Sequence, residues 1–138
     1  MGDYFDAGKH GAVLAIPFSH ANVTTGESNT DLTAGQDTLH VMPYSGSIIG
    51  ISIRANASLT AGTITAQAHS NSTEVTDTGA PAPACSSSAQ VSYATVRPGA
   101  VTFSAGDKLG ISVTTTTTLD PTNSVDVDAL LFVQLDPN

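Results

Sequence analysis

The chain has 138 residues, enough for one domain around a single core. Aromatic residues make up only 5% and Trp is absent, so any core must be built from Val, Ile, Leu and Ala. A net charge of −8, with Lys9, Arg54, Arg97 and Lys108 as the only cations, argues against nucleic-acid phosphates and anionic membrane surfaces as partners.

The remaining composition narrows the class further. Charged residues are 12% of the chain against 40% apolar, a balance unlike that of disordered segments, which combine high charge with few apolar groups. Cys85 is the only cysteine, so no internal disulfide can form. Asp3 and Asp6 stand where a secretion signal would carry basic residues, so no signal peptide is expected. No apolar run approaches the length of a membrane-spanning helix.

Residues 1–37 lack sustained alternation and are rich in Gly, Thr and Asn. They are read as an extended N-terminal arm, and residues 38–138 as the folded domain. Tyr4 and Phe5 are the large apolar groups at the start of the arm. Residues 12–16, which include Val13, Leu14 and Ile16, form an apolar run that stops at Pro17. The run reads either as a buried strand or as a strand added to the sheet edge of a neighbour. About 36 extended residues could reach on the order of 100 Å, several domain radii.

Alternation begins near Leu39. A turn at residues 43–46 leads into residues 47–56, where Ile49, Ile51 and Ile53 fall on one face and Gly50, Ser52 and Arg54 on the other. Beyond a Gly-containing connection, Ile64, Ala66 and Ala68 alternate with Thr63, Thr65, Gln67 and His69. Together they predict two antiparallel strands sharing one buried face. Residues 71–88, with Gly79, Pro81 and Pro83, read as a long connection holding one short strand near 73–76. Further strands are predicted at 89–95, 100–103, 109–118 and 125–135. With no helical period, the pattern is that of an all-β, antiparallel sandwich of about eight strands.

The last of these strands is unusual. Val125, Val127, Ala129, Leu131, Val133 and Leu135 share one face, while Asp126 and Asp128 open the other and Leu130 and Phe132 continue it. A strand apolar on both faces is covered on both sides. One cover is the domain's own core. The expected second cover for Leu130 and Phe132 is another subunit, or the segment 12–16 of an arm.

Chemistry is sparse. The histidines at 10, 20, 40 and 69 show no metal-type spacing, and Cys85 has no local His to activate it. Asp126 and Asp128 share a strand face and could help hold Ca²⁺ with Asp120 or Asn123, but the simpler reading is a solvated strand start whose charges discourage edge pairing. A glycosidase pair would want aromatic platforms that this chain lacks. No phosphate loop, dinucleotide fingerprint or Ser/His/Asp arrangement is legible. The expectation is no enzyme, no catalytic or metal site and no cofactor.

Three strand–turn–strand phrases carry a resemblance: VMPYSGSIIGISIR at 41–54, LTAGTITA at 59–66 and FSAGDKLGISVTT at 103–115, followed by the final aliphatic strand. Over about residues 39–136 the chain resembles the small jelly-roll domains of tailed-phage virion proteins, such as head decoration (cement) proteins and some fibre-tip domains. The same cadence is similar to the trimeric tumour-necrosis-factor/C1q-like jelly roll at the C-terminus of bacterial collagen-like surface proteins. No collagen repeat precedes the domain, which favours the virion family. The resemblance implies a jelly-roll sandwich, a homotrimer, and a decoration protein on the outer capsid surface with the major capsid protein as partner. The alternative it leaves open is a receptor- or glycan-binding tip of a fibre or tail. Interface candidates are Leu130, Phe132, Val13, Leu14, Ile16, Tyr4 and Phe5.

Overall fold

The computed structural model describes residues 11–34 and 38–137, which form eleven strands and no helix. In chain order these are β1 (Val13–Val23), β2 (Thr30–Asp31), β3 (His40–Val41), β4 (Gly46–Ala55), β5 (Thr63–Ser70), β6 (Thr73–Glu74), β7 (Ala84–Ser86), β8 (Val91–Thr95), β9 (Thr102–Phe103), β10 (Lys108–Thr115) and β11 (Val125–Leu135).

The pairings describe one long hairpin rolled up. β1 pairs with β11, β2 and β3 with β10, β4 with β8 and β9, and β5 with β6 and β7. Two further pairings, β11 with β4 and β10 with β5, join these four ladders into two sheets. The first sheet runs β1-β11-β4-β8 and the second β2-β10-β5-β6, with every ladder antiparallel. This nesting of first strand on last and second on second-last is the jelly-roll order. The predicted all-β jelly-roll sandwich is therefore the fold observed.

The core lies between the sheets and is mostly aliphatic, with Phe18 and Phe103 as its buried aromatic members, where composition alone suggested only Val, Ile, Leu and Ala. β11 contributes Val125, Val127, Ala129, Leu131 and Val133, each buried. β4, β5 and β10 face it with Ile51 and Ile53, Ile64 and Ala66, and Leu109, Ile111 and Val113.

Residues 13–23 behave differently from the expected arm. They form an eleven-residue strand in register with β11 of the same chain, from Val13 opposite Gln134 to Val23 opposite Val125. Ile16, Phe18, Val23 and Leu32 are core residues. Pro17 reads as a stop, yet β1 runs through it. Ser19, two residues on, exchanges both backbone hydrogen bonds with Thr33 (2.9 and 2.8 Å), on the side away from β11. Alternation then turns the main-chain groups of residue 17 off the edge of the first sheet. A proline there sacrifices no ladder bond, and edge positions of this kind are where strand prolines belong.

A second correction concerns β4. Its ladder with β11 slips between Gly50, opposite Phe132, and Ile48, opposite Val133. The slip leaves Ile49 as the extra residue of a β-bulge, which changes the phase of the strand. The inward isoleucines are therefore 48, 51 and 53, and Ile49 is only half-buried. The long connection between β5 and β8 holds the expected short strand near 73–76, as β6, and also β7, where Cys85 enters the core.

Candidate functional site

The outer face of the first sheet collects the apolar groups that the core leaves out. Register defines its rows. Pro17 (β1), Leu130 (β11), Ser52 (β4) and Tyr93 (β8) lie across one row. Ala15, Phe132, Gly50 and Thr95 lie across the next. On the other side of the Ser52 row stand Ser19, Asp128, Arg54 and Val91. Small residues on β4 are thus flanked by taller ones on β11 and β8. Two hollows result, about 530 and 430 Å³ in volume, which share Ser52 and Tyr93 as lining. Tyr93 is 78% exposed and Val91 62% exposed.

The charges at the margin of this face are satisfied within the chain. The Arg54 guanidinium donates to Asp128 Oδ2 at 3.0 Å. Asp126 Oδ1 accepts the Asn22 backbone N–H at 2.9 Å, tying down the irregular end of β1 where Asn22 has a positive φ of 54°. Asp126 Oδ2 accepts from Asn56 Nδ2 at 3.4 Å. The two carboxylates do lie on one strand face, but each is engaged by different groups. Among the described residues no cluster of three His, Cys, Asp or Glu side chains could hold a metal ion.

The interface candidates separate into three groups. Leu130 and Phe132 lie on the outer face, Leu130 at 36% exposed and Phe132 half-buried. β1 does not cover them: it lies beside β11 in the same sheet, so of the two expected covers residues 12–16 of this chain are removed and another subunit is left. Val13 and Leu14 are exposed at the end of β1, whereas Ile16 is buried in the core and unavailable to a partner. Tyr4 and Phe5 lie outside the described residues. Sequence reading missed Val91, Tyr93, Gly50 and Ser52. Their signal is register: an edge residue paired with an outward residue of β4 must itself face outward.

The second sheet holds a polar constellation that the sequence did not reveal. Ser112 on β10 lies 2.7 Å from His69 Nε2 on β5. His69 Nδ1 lies 3.4 Å from Asp31 Oδ1 on β2, and makes no hydrogen bond. Ser, His and Asp follow one another as in a hydrolase relay. Ser112 has no exposed surface and His69 is 5% exposed, so the serine oxygen has no open approach for a substrate carbonyl. Part of the cover is visible at Gly110, where an added Cβ would stand 2.6 Å from the Thr38 carbonyl oxygen and 2.7 Å from Leu39 Cδ2. The contact between Ser112 and His69 is a buried polar link between β10 and β5. Cys85 is likewise enclosed: its thiol donates to the Gln90 carbonyl at 3.2 Å, and burial pushes its pKa up, away from a reactive thiolate.

No family model and no curated protein sequence matches the chain. Among solved structures, it is similar to a chain of the cyanophage Pam1 capsid asymmetric unit, with a TM-score of 0.50 and 13% sequence identity. The match covers 91% of this chain and 86% of that one, and at this identity it is a likeness of fold.

Proposed function

We propose that the chain is a virion structural protein, a decoration or cement protein that acts as a homotrimer on the outer surface of a phage capsid. The observation that supports this most directly is the likeness of fold, over 91% of this chain, to a chain of the Pam1 capsid asymmetric unit. The distribution of chemistry agrees with a mechanical role. The polar constellation of the second sheet is closed, while the outer face of the first sheet is open and apolar. A protein of this kind works by binding only the assembled shell. Each contact that spans neighbouring capsid subunits then stabilises the shell by mass action. No catalytic step or cofactor enters this reading.

The test is to label the protein and image source particles at low resolution. Many copies spread over the shell are expected. A few copies at a fibre or tail tip would replace this reading with the receptor-binding alternative, and particles without label would refute a virion role.

A further inference from the structure

We infer that the outer face of the first sheet is a self-association site, in which Tyr93 of one copy seats in the hollow along β4 of a second copy of this chain. The inference deepens the homotrimer of the preceding reading, but does not depend on attachment to a capsid.

Shape is the first argument. Gly50 and Ser52 form a low floor between Phe132 and Leu130 on one side and Thr95, Tyr93 and Val91 on the other. Pleated faces pack by interdigitation, so a floor of small residues calls for a tall side chain from outside. The same face supplies such a side chain. Tyr93 projects from edge strand β8 and is largely exposed, with a broad apolar ring and a hydroxyl that can remain wet at the rim. Tyrosine is among the residues most enriched at the energetic centres of interfaces. A knob and a hole on one chain provide both halves of a contact between identical subunits.

Charge is the second argument, and it selects the occupant. Two copies at −8 each repel wherever carboxylates meet. Exposed Asp31, Asp77, Asp120 and Asp136 lie off this face. On it, Arg54 pairs with Asp128, Asp126 at the start of β11 keeps its charge while accepting from Asn22 and Asn56, and the hollow around Gly50, Thr95 and Phe132 has no charged lining. Phe132 stands six residues along β11 from Asp126, so a second acidic chain can seat in this hollow without meeting that carboxylate.

The test combines sedimentation with thiol footprinting on the full chain. Tyr93→Ala removes a side chain that is mostly in solvent, so the fold should persist by circular dichroism. Its subunit dissociation constant should rise roughly thirtyfold, the range of an interface hot spot. Ser52→Cys places a single new thiol on the hollow floor while the native Cys85 stays buried. That thiol should be alkylated slowly at high protein concentration, and quickly on dilution or in the Tyr93→Ala background. A wild-type trimer that Tyr93→Ala leaves intact, with the introduced thiol reacting equally fast at all concentrations, would overturn this contact and leave the trimer standing. A wild-type monomer at high concentration would overturn both. A dimer that Tyr93→Ala dissociates would uphold the contact and refute the trimer.

Discussion

Phe18→Ala tests whether residues 11–34 are part of the domain or an appendage to it. Phe18 is buried on β1, opposite Ala129 of β11, and its ring meets His40 edge-on at 5.7 Å with an interplanar angle of 79°. Truncating a core phenylalanine costs about 3–5 kcal/mol through lost transfer energy and the cavity left behind. A domain of this size has about 5–15 kcal/mol in total. With a urea slope of about 2 kcal/mol/M, the unfolding midpoint should fall by roughly 2 M. Ala15→Ser, on the outer face of the same strand, serves as the control and should stay within about 0.5 kcal/mol. If residues 11–34 were a dispensable arm, Phe18→Ala would match that control, and a chain shortened to begin near Leu39 would remain folded. Either result would refute the placement of β1 in the core. The structure requires the opposite, because removing β1 strips β11 of one ladder and uncovers Leu131 and Val133.

Three further outcomes follow from the buried groups and one turn. Ser112→Ala leaves His69 Nε2 without its 2.7 Å partner inside the fold, which should cost about 1–3 kcal/mol; an unchanged melting curve would mean that the link does not form. Cys85, with its pKa raised mainly by burial, should react slowly with thiol reagents at pH 8 and rapidly in denaturant; a native rate equal to the denatured rate would show that β7 is not docked. Asp107 is held below its usual pKa of 3.8, first by the hydrogen bond from Asn71 and then by that from the Ser104 backbone N–H. Its contribution is present above that value and lost as pH falls through the lower folded value, so Asp107→Asn should lower the melting point at pH 7 and lower it less at pH 3. A gap that is the same at both pH values would remove Asp107 from the acid response.

Most strands are legible in the sequence because their alternation is driven by burial on one side. Thr63–Ser70, Lys108–Thr115 and Val125–Leu135 lie close to where alternation puts them. What escapes depends on partners distant in sequence. Pro17 looks like a terminator until the strand is known to lie at an edge, where the missing N–H is not needed. Ile49 looks like a core residue until β11 imposes a bulge on β4. Asp31, His69 and Ser112 are far apart in the chain, and only the β2-β10-β5 order brings them together.

The proposed interface is half legible for the same reason. Leu130 and Phe132 stand out because they break the polar phase of their own strand, a signal contained within eleven residues. Val91 and Tyr93 carry no such mark. By hydrophobicity alone they would point inward, with Ser92 outward, and β8 would look like an ordinary core strand. Pairing reverses this: Val91 lies opposite Arg54 and Tyr93 opposite Ser52, both on the outer side of β4, so Ser92 and Ala94 are the residues that turn inward. An edge strand takes its orientation from its neighbour, even when that exposes its largest side chains. A monomer gains nothing from presenting Tyr93 and Val91 to water beside Leu130. The arrangement becomes favourable once a second surface covers them, and in so acidic a chain the uncharged hollow beside Tyr93 is where the proposed second copy meets least repulsion.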